Sequence, residues 1–215
     1  MSIYKGLIFD LDGVLVDTAK YHFIAWKQIA DNINVPFNKA DNERLKGVSR
    51  MNSLEIILEI GGLSLSLREK ENLCKQKNDI YLSYIRRLAK SEILDGAEAF
   101  LTEAREQGYK LALGSASKNS RLILERLEIE GFFDAVIDGT KVTKAKPDPE
   151  VFIRGAEELQ LENEECMVFE DSLAGIRAAR AAGMRAVGIG DPVNLPGADI
   201  VIHGFTGITI DDIIS

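Results

Sequence analysis

Cysteine is scarce. Cys74 and Cys166 are the only two in 215 residues, too few for a disulfide scaffold and without the C-x-x-C spacing of a metal knuckle or thiol redox centre. Positive charge is also in the minority: 26 Lys and Arg face 34 Asp and Glu, a formal net charge of −8, which argues against a general affinity for nucleic acid or an anionic membrane. No apolar run approaches the roughly 18 residues of a membrane-spanning helix. Met1-Ser2-Ile3-Tyr4-Lys5 leads into an apolar run without the charged-then-apolar pattern of a secretory leader. These absences give the expectation of a cytoplasmic protein with no nucleic-acid or membrane partner; a monomer is expected as well. With five prolines and no repeat or low-complexity tract, fibrous and linker-like classes are excluded as well. What remains is 46% hydrophobic and 28% charged, the balance of an ordinary globular chain.

Short apolar runs alternate with helical patterns along most of the chain. Leu7–Phe9, Leu111–Leu113, Ala135–Ile137, Met167–Phe169, Ala186–Ile189 and Ile200–Ile202 read as strands of a parallel sheet joined by crossover helices. Most stop at a polar or glycine-bearing turn: Asp10-Leu11-Asp12-Gly13, Gly114-Ser115-Ala116-Ser117, Glu170-Asp171-Ser172 and Gly190-Asp191-Pro192. In such a sheet the ligand crevice lies beyond the carboxyl ends of the strands, so these turns are expected to meet. Asp148-Pro149 suits a helix start, with aspartate as N-cap and proline at the first helical position. Ser172 suits the cap of a run that ends at Gly183.

Between Asp17 and Ser91 the pattern changes. No strand is evident, and consecutive amphipathic helices follow one another, one opened by the capping box Ser66-Leu67-Arg68-Glu69. The expectation is an α/β protein: a Rossmann-like parallel-sheet core, residues 1–16 and 92–215, with an inserted all-helical cap domain, residues 17–91. Two linkers, near residues 14–18 and 91–96, would permit hinge motion.

Asp10 and Asp12 are two residues apart directly after a buried strand, and side chains at that spacing on an extended stretch share a face. One carboxylate can attack phosphorus while the other moves a proton, with a divalent cation between them; the plainer reading is a pair of turn-forming aspartates. Glu170-Asp171 supplies the hard oxygens that Mg²⁺ prefers. Ser115, Ser117, Lys118 and Asn119 offer hydroxyls, an amide and turn N–H groups to a phosphate. Lys146, before Pro147-Asp148-Pro149, offers a point charge.

Taken in this order, the four elements resemble the motif set of the haloacid dehalogenase superfamily of phosphotransferases, in the subfamily with a small helical cap. The resemblance implies Asp10 as the nucleophile that becomes an aspartyl phosphate and Asp12 as the general acid/base. It implies Ser115 and Lys146 as holders of the transferring phosphoryl group, and Mg²⁺ held by Asp10, the Asp12 carbonyl, Glu170 and Asp171. Phosphatases and mutases share these motifs. Three cap segments, Thr18–Trp26, Leu45–Arg50 with Ser53-Leu54, and Lys75–Asp79, resemble the phosphosugar-mutase branch, which interconverts β-D-glucose 1-phosphate and glucose 6-phosphate with β-glucose 1,6-bisphosphate as donor and intermediate. By position, that likeness implies Arg50, Ser117 and Asn119 on the non-transferring phosphate and His22 and Lys77 as couplers of closure to sugar binding. Lys46 and Ser53 would be further cap contacts, and Thr18, Trp26, Gly47, Ala116 and Lys118 would complete the substrate surface. Read singly, His22 is equally a polar residue on a helix packed through Phe23 and Trp26, and Lys46, Lys75 and Lys77 are equally solvated charges. The alternative within the same superfamily is a sugar-phosphate or phosphoglycolate-type phosphatase. The stretch Asp138–Lys146 is more basic than the resemblance leads one to expect, which bears on substrate preference.

Overall fold

The computed structural model describes residues 3–46 and 48–214. Six parallel strands form one sheet: β1 (Gly6–Phe9), β2 (Lys110–Gly114), β3 (Ala135–Ile137), β4 (Cys166–Glu170), β5 (Arg185–Ile189) and β6 (Ile200–Ile202), in the spatial order β3-β2-β1-β4-β5-β6. All six runs read as strands from the sequence are strands here. Their apolar continuity has a simple cause, because helices cover both faces and every strand of the centre is buried on both sides. Leu7 and Phe9 enter one core with Phe100, Phe169 and Phe205, while Ile8 enters the opposite core with Phe152, Val168 and Ile176. Phe9 and Phe169 are register partners in β1 and β4, and their rings stack at 4.5 Å.

Chain order reverses direction across the sheet between β1 and β4, the switch point where an open α/β sheet leaves a crevice. Asp10 follows β1 and Asp171 follows β4, so the acidic turns are neighbours by topology. The flanking helices are α5 (Ala97–Glu106), α6 (Ser120–Leu127), α7 (Glu150–Leu159), α8 (Leu173–Ala181) and α9 (Ile210–Ile214). Ser172 caps α8 as expected, its Oγ accepting from the Gly175 amide at 3.1 Å. The start of α7 differs by one position: Pro149 is the N-cap and Glu150 the first helical residue. Asp148 still takes the Glu150 amide on its carboxylate at 3.1 Å, so the aspartate does the capping from one residue further out.

Helices are the regular elements of the insert among its described residues: α1 (Ala19–Asn32), α2 (Lys39–Glu43), α3 (Arg50–Gly61) and α4 (Leu67–Ile85). These form the cap, with its own small core of Trp26, Ile29, Leu54 and Ile57. The capping box of Ser66 and Glu69 opens α4, both reciprocal bonds being made. The two strands of chain that join cap and core lie side by side. The Leu94 amide donates to the Leu15 carbonyl at 3.0 Å, and Val16 bridges to Ile93 in antiparallel sense. No described helix is long and apolar enough to cross a membrane.

Candidate active site

Asp10 ends β1, and its Oδ1 accepts a hydrogen bond from Nζ of Lys146 at 2.7 Å. That ammonium also donates to the Gly114 carbonyl at 3.0 Å and to Oε1 of Glu170 at 2.5 Å. Lys146 is thus bound to the ends of β1, β2 and β4 at once. Burial works against its charge, but Asp10 and Glu170 more than offset this and raise its pKa above the ordinary lysine value. Oε2 of Glu170 accepts from the amide and hydroxyl of Ser172 at 2.9 and 2.8 Å. Gly175 is required beneath it, since a Cβ there would lie 1.9 Å from the Glu170 carboxyl carbon.

Asp12 hangs from the turn after β1, where Gly13 adopts φ +82. A Cβ on Gly13 would sit 2.3 Å from Oδ2 of Asp171, so the absent side chain is what lets the Asp171 carboxylate rest against this turn. The carboxyl groups of Asp10, Asp12 and Asp171 consequently feel one another's charge. Burial, opposed by Lys146 and reinforced by Glu170, raises Asp10 to about 6. Burial together with the charges of Asp10 and Asp171 raises Asp12 to about 8. Burial and Glu170 raise Asp171 to about 7, against the pull of Lys46. Among the described residues no three His, Cys, Asp or Glu side chains converge into a ready-made metal cage. The chemistry of the donors nevertheless fits a hard divalent cation: oxygen ligands only, mutually repelling, with Asp171 pressed against the Asp12-Gly13 turn.

The cap closes over this floor. Nζ of Lys46, in the turn after α2, is 3.3 Å from Oδ2 of Asp171. His22 on α1 turns its ring toward Asp12, with Nε2 3.7 Å from Oδ2. That nitrogen is one of the buried polar atoms without a hydrogen-bond partner among the described residues. Nδ1 of His22 faces Nζ of Lys77 at 2.9 Å; while Lys77 is an ammonium it can only donate, and the ring proton then sits on Nε2. Burial, then Lys77 and Arg50, hold His22 well below the usual imidazole pKa. Lys77 is itself only 3% exposed, and burial with the neighbouring Arg50 brings it down to about 7. Its ammonium lies over the rings of Tyr81 and Trp26 at 4.5 and 5.2 Å.

Core and cap together enclose a cavity of about 410 Å³, within the roughly 300–1,000 Å³ typical of small-molecule sites. Of the residues singled out from the sequence, Asp10, Asp12, His22, Trp26, Lys46, Arg50, Ser53, Lys77, Ser115–Asn119, Lys146 and Asp171 all line it. Three do not join them. Thr18 is fully buried and gives its hydroxyl proton to Oδ1 of Asp12, so it orients the carboxylate rather than facing the cavity. Glu170 lies behind Lys146, at 1% exposure. Gly47 falls outside the described residues. Lys75 is exposed and absent from the cavity wall, which fits the solvated reading, whereas the burial of Lys77 excludes that reading for it. Cys74, which nothing in the sequence singles out, and the loop Val142–Ala145, singled out only within the basic stretch Asp138–Lys146, also line the cavity. That loop is tied to α7 where the Thr143 and Lys144 amides donate to Oε2 of Glu150 at 2.9 and 2.8 Å. Its unusual basic stretch was the available signal.

An aspartate pair at the end of β1, a lysine joining three strand ends and an inserted helical cap define an enzyme of the haloacid dehalogenase superfamily. The chain belongs to that family: the profile of the haloacid dehalogenase-like hydrolases matches residues 4–183. It is 43% identical over 209 residues to a β-phosphoglucomutase of Bacillus subtilis, an alignment covering 96% of this chain and 92% of that one. It is 31% identical to a phosphorylated carbohydrates phosphatase of Thermotoga maritima, over 85% of this chain and 83% of that protein. The crystal structure of a Clostridium difficile β-phosphoglucomutase superposes with a TM-score of 0.94 at 38% identity, covering 98% of this chain and 95% of that one.

Proposed function

We propose that this protein acts as a Mg²⁺-dependent β-phosphoglucomutase, interconverting β-D-glucose 1-phosphate and glucose 6-phosphate through an aspartyl phosphate on Asp10 and β-glucose 1,6-bisphosphate. The observation that supports the reading is that one cavity is lined by two groups of side chains suited to hold anions. Lys146 and Ser115 stand with Asp10 on the floor, while Arg50 from the cap and Asn119 from the core form a second set. A phosphatase acting on a monophosphate needs the first set alone, whereas a bisphosphate intermediate must be held at both ends. The 43% identity to the Bacillus subtilis enzyme supports the same reading.

In this reading residues 17–91 serve as the cap and residues 1–16 and 92–215 as the core. Mg²⁺ would be held by Asp10, the Asp12 carbonyl and Asp171, with Glu170 beside them, and would neutralise the charge of the phosphoryl group as it meets the carboxylates. Asp10 attacks phosphorus, and Lys146 keeps it anionic and aimed. Asp12, raised to about 8 by burial and its acidic neighbours, carries a proton at neutral pH and gives it to the departing sugar oxygen; once deprotonated it takes one from the attacking hydroxyl. Thr18 holds the carboxyl in place for both steps. His22 presents its unpartnered Nε2 beside Asp12, where a sugar hydroxyl can accept from it. The closed cap, held by Lys46 on Asp171, keeps water from the aspartyl phosphate so that the sugar returns before hydrolysis occurs. The protein acts as a cytoplasmic monomer on a small phosphorylated sugar.

The deciding experiment supplies Mg²⁺, β-glucose 1-phosphate and a trace of the bisphosphate and measures glucose 6-phosphate against free phosphate. The reading requires glucose 6-phosphate in large excess. Stoichiometric release of free phosphate would replace it with the phosphatase activity carried by the Thermotoga maritima relative's name.

A further inference from the structure

Asn78, on the cap helix α4, is the meeting point of the two donors assigned above to the second phosphate. Its Oδ1 accepts from Nη2 of Arg50 at 2.7 Å and from Nδ2 of Asn119 at 3.0 Å. The amide orientation is fixed by chemistry, because guanidinium only donates and the atom facing it must be the oxygen. Arg50 lies on α3 and Asn119 at the start of α6, so this one oxygen joins two cap helices to the core. Lys77 precedes Asn78 and Lys118 precedes Asn119 in the chain, and both lysines line the cavity, while the Asp79 carboxylate acts on Arg50 from the same helix.

We infer that the Asn78 side-chain oxygen is a stand-in for a phosphate oxygen: it occupies the shared focus of Arg50 and Asn119 in the substrate-free enzyme, latches the cap to the core, and is displaced when the substrate's second phosphate arrives. The inference rests on the assignment of Arg50 and Asn119 to that phosphate. A neutral amide suits the task. It gives a half-buried guanidinium and a half-buried amide an acceptor, yet it is a weaker acceptor than a phosphate dianion, which therefore wins the exchange. Asn78 is accordingly a positioning residue, keeping the two donors aligned on one point before the ligand is bound.

The test follows backbone hydrogen exchange at the first turns of α3 and α6 in the full-length protein without sugar, with and without saturating inorganic phosphate. Wild type is expected to be protected in both conditions. In Asn78→Ala, exchange should rise about tenfold or more without phosphate, in keeping with loss of a hydrogen bond to a charged group, and return to the wild-type level when phosphate fills the vacated focus. Unchanged exchange in the variant, or an equal slowing by phosphate in both proteins, overturns the latch. Asn78→Asp carries the test independently should the alanine variant fail to fold. Its carboxylate binds Arg50 more tightly, so protection should persist while the KM for β-glucose 1-phosphate rises about tenfold or more with a smaller change in kcat. A KM at or below the wild-type value overturns the proposal. The exchange measurement involves no turnover, so a wild-type enzyme found to release only free phosphate would refute the mutase reading and leave the latch to stand or fall on its own data.

Discussion

Nζ of Lys146 lies 2.7 Å from Oδ1 of Asp10, although 136 residues separate them in the chain. The pair is buried, with side-chain exposures of 1% and 10%, and Glu170 completes it from the neighbouring strand. An ammonium so placed is structural and chemical at once: it balances two carboxylates at the switch point of the sheet and fixes the nucleophile's direction. Replacing it by an apolar side chain leaves both acids uncompensated, the situation in which a buried ion pair is costly to break. Lys146→Met is therefore expected to lose about 3–5 kcal/mol of stability, measured by urea denaturation at neutral pH. A loss below about 1 kcal/mol would mean that the two carboxylates are already neutral or solvated.

Asp10→Asn should retain the fold, because the amide oxygen can still accept from Lys146, and lose phosphoryl transfer altogether, because an amide is not a competent nucleophile. Asp12→Asn should keep a trace of activity, about 10²–10⁴-fold below wild type, the usual cost of removing one acid/base group. Circular dichroism reports folding, and mass spectrometry reports the aspartyl phosphate. A phosphorylated Asp10→Asn protein would move the nucleophile to another residue.

Lys77 gives the folded state a pH dependence of definite sign. Its folded pKa, about 7, is below the ordinary 10.5, so between those values the unfolded chain binds more protons than the native one, and stability rises with pH. The penalty for burying the charge is fully present below about pH 7 and is relieved toward pH 10.5, at up to about 1.4 kcal/mol per pH unit. Denaturation of wild type and Lys77→Met from pH 6.5 to 9.5 checks this. The wild-type slope should exceed that of the variant, with the variant more stable at the acid end. Parallel slopes would show that Lys77 stays charged in the native protein.

The sheet was legible because most strands are apolar runs ended by a polar turn, and burial on both faces keeps polar residues out of the middle of the central strands. The cap was legible as helix because Ser66 and Glu69 announce a start and no β-rich run interrupts it. What the sequence could not convey is which polar residues face inward. Thr18 and Glu170 look like any motif residue in one dimension, yet the first is turned onto Asp12 and the second is locked between Lys146 and Ser172. Asn78 stands beside Lys77 in a stretch that resembles known caps, but its bond to Asn119 spans 41 residues and depends on how cap and core meet. Such contacts come from tertiary geometry, and no local periodicity encodes them.

Arg50 separates mutase from phosphatase most directly. It lines the cavity from the first turn of α3, and its Nη2 donates to the Asn78 oxygen that also accepts from Asn119. Arg50→Ala removes a charge-assisted contact to the phosphate not being transferred, about 1.5–3 kcal/mol, so kcat/KM for both glucose monophosphates should fall about 10–100-fold. Arg50→Lys should fall between the two, since it restores charge without the planar fork. Acetyl phosphate brings only the phosphoryl group that Asp10 attacks and leaves Arg50 nothing to hold, so phosphorylation of Asp10 by that reagent should largely survive in Arg50→Ala. Free-phosphate release measured alongside shows whether a loosened cap admits water. If mutase flux and acetyl-phosphate labelling fall together, Arg50 supports the floor of the site or the fold. If neither changes, the second phosphate is bound elsewhere and the two-ended grip on a bisphosphate has to be given up.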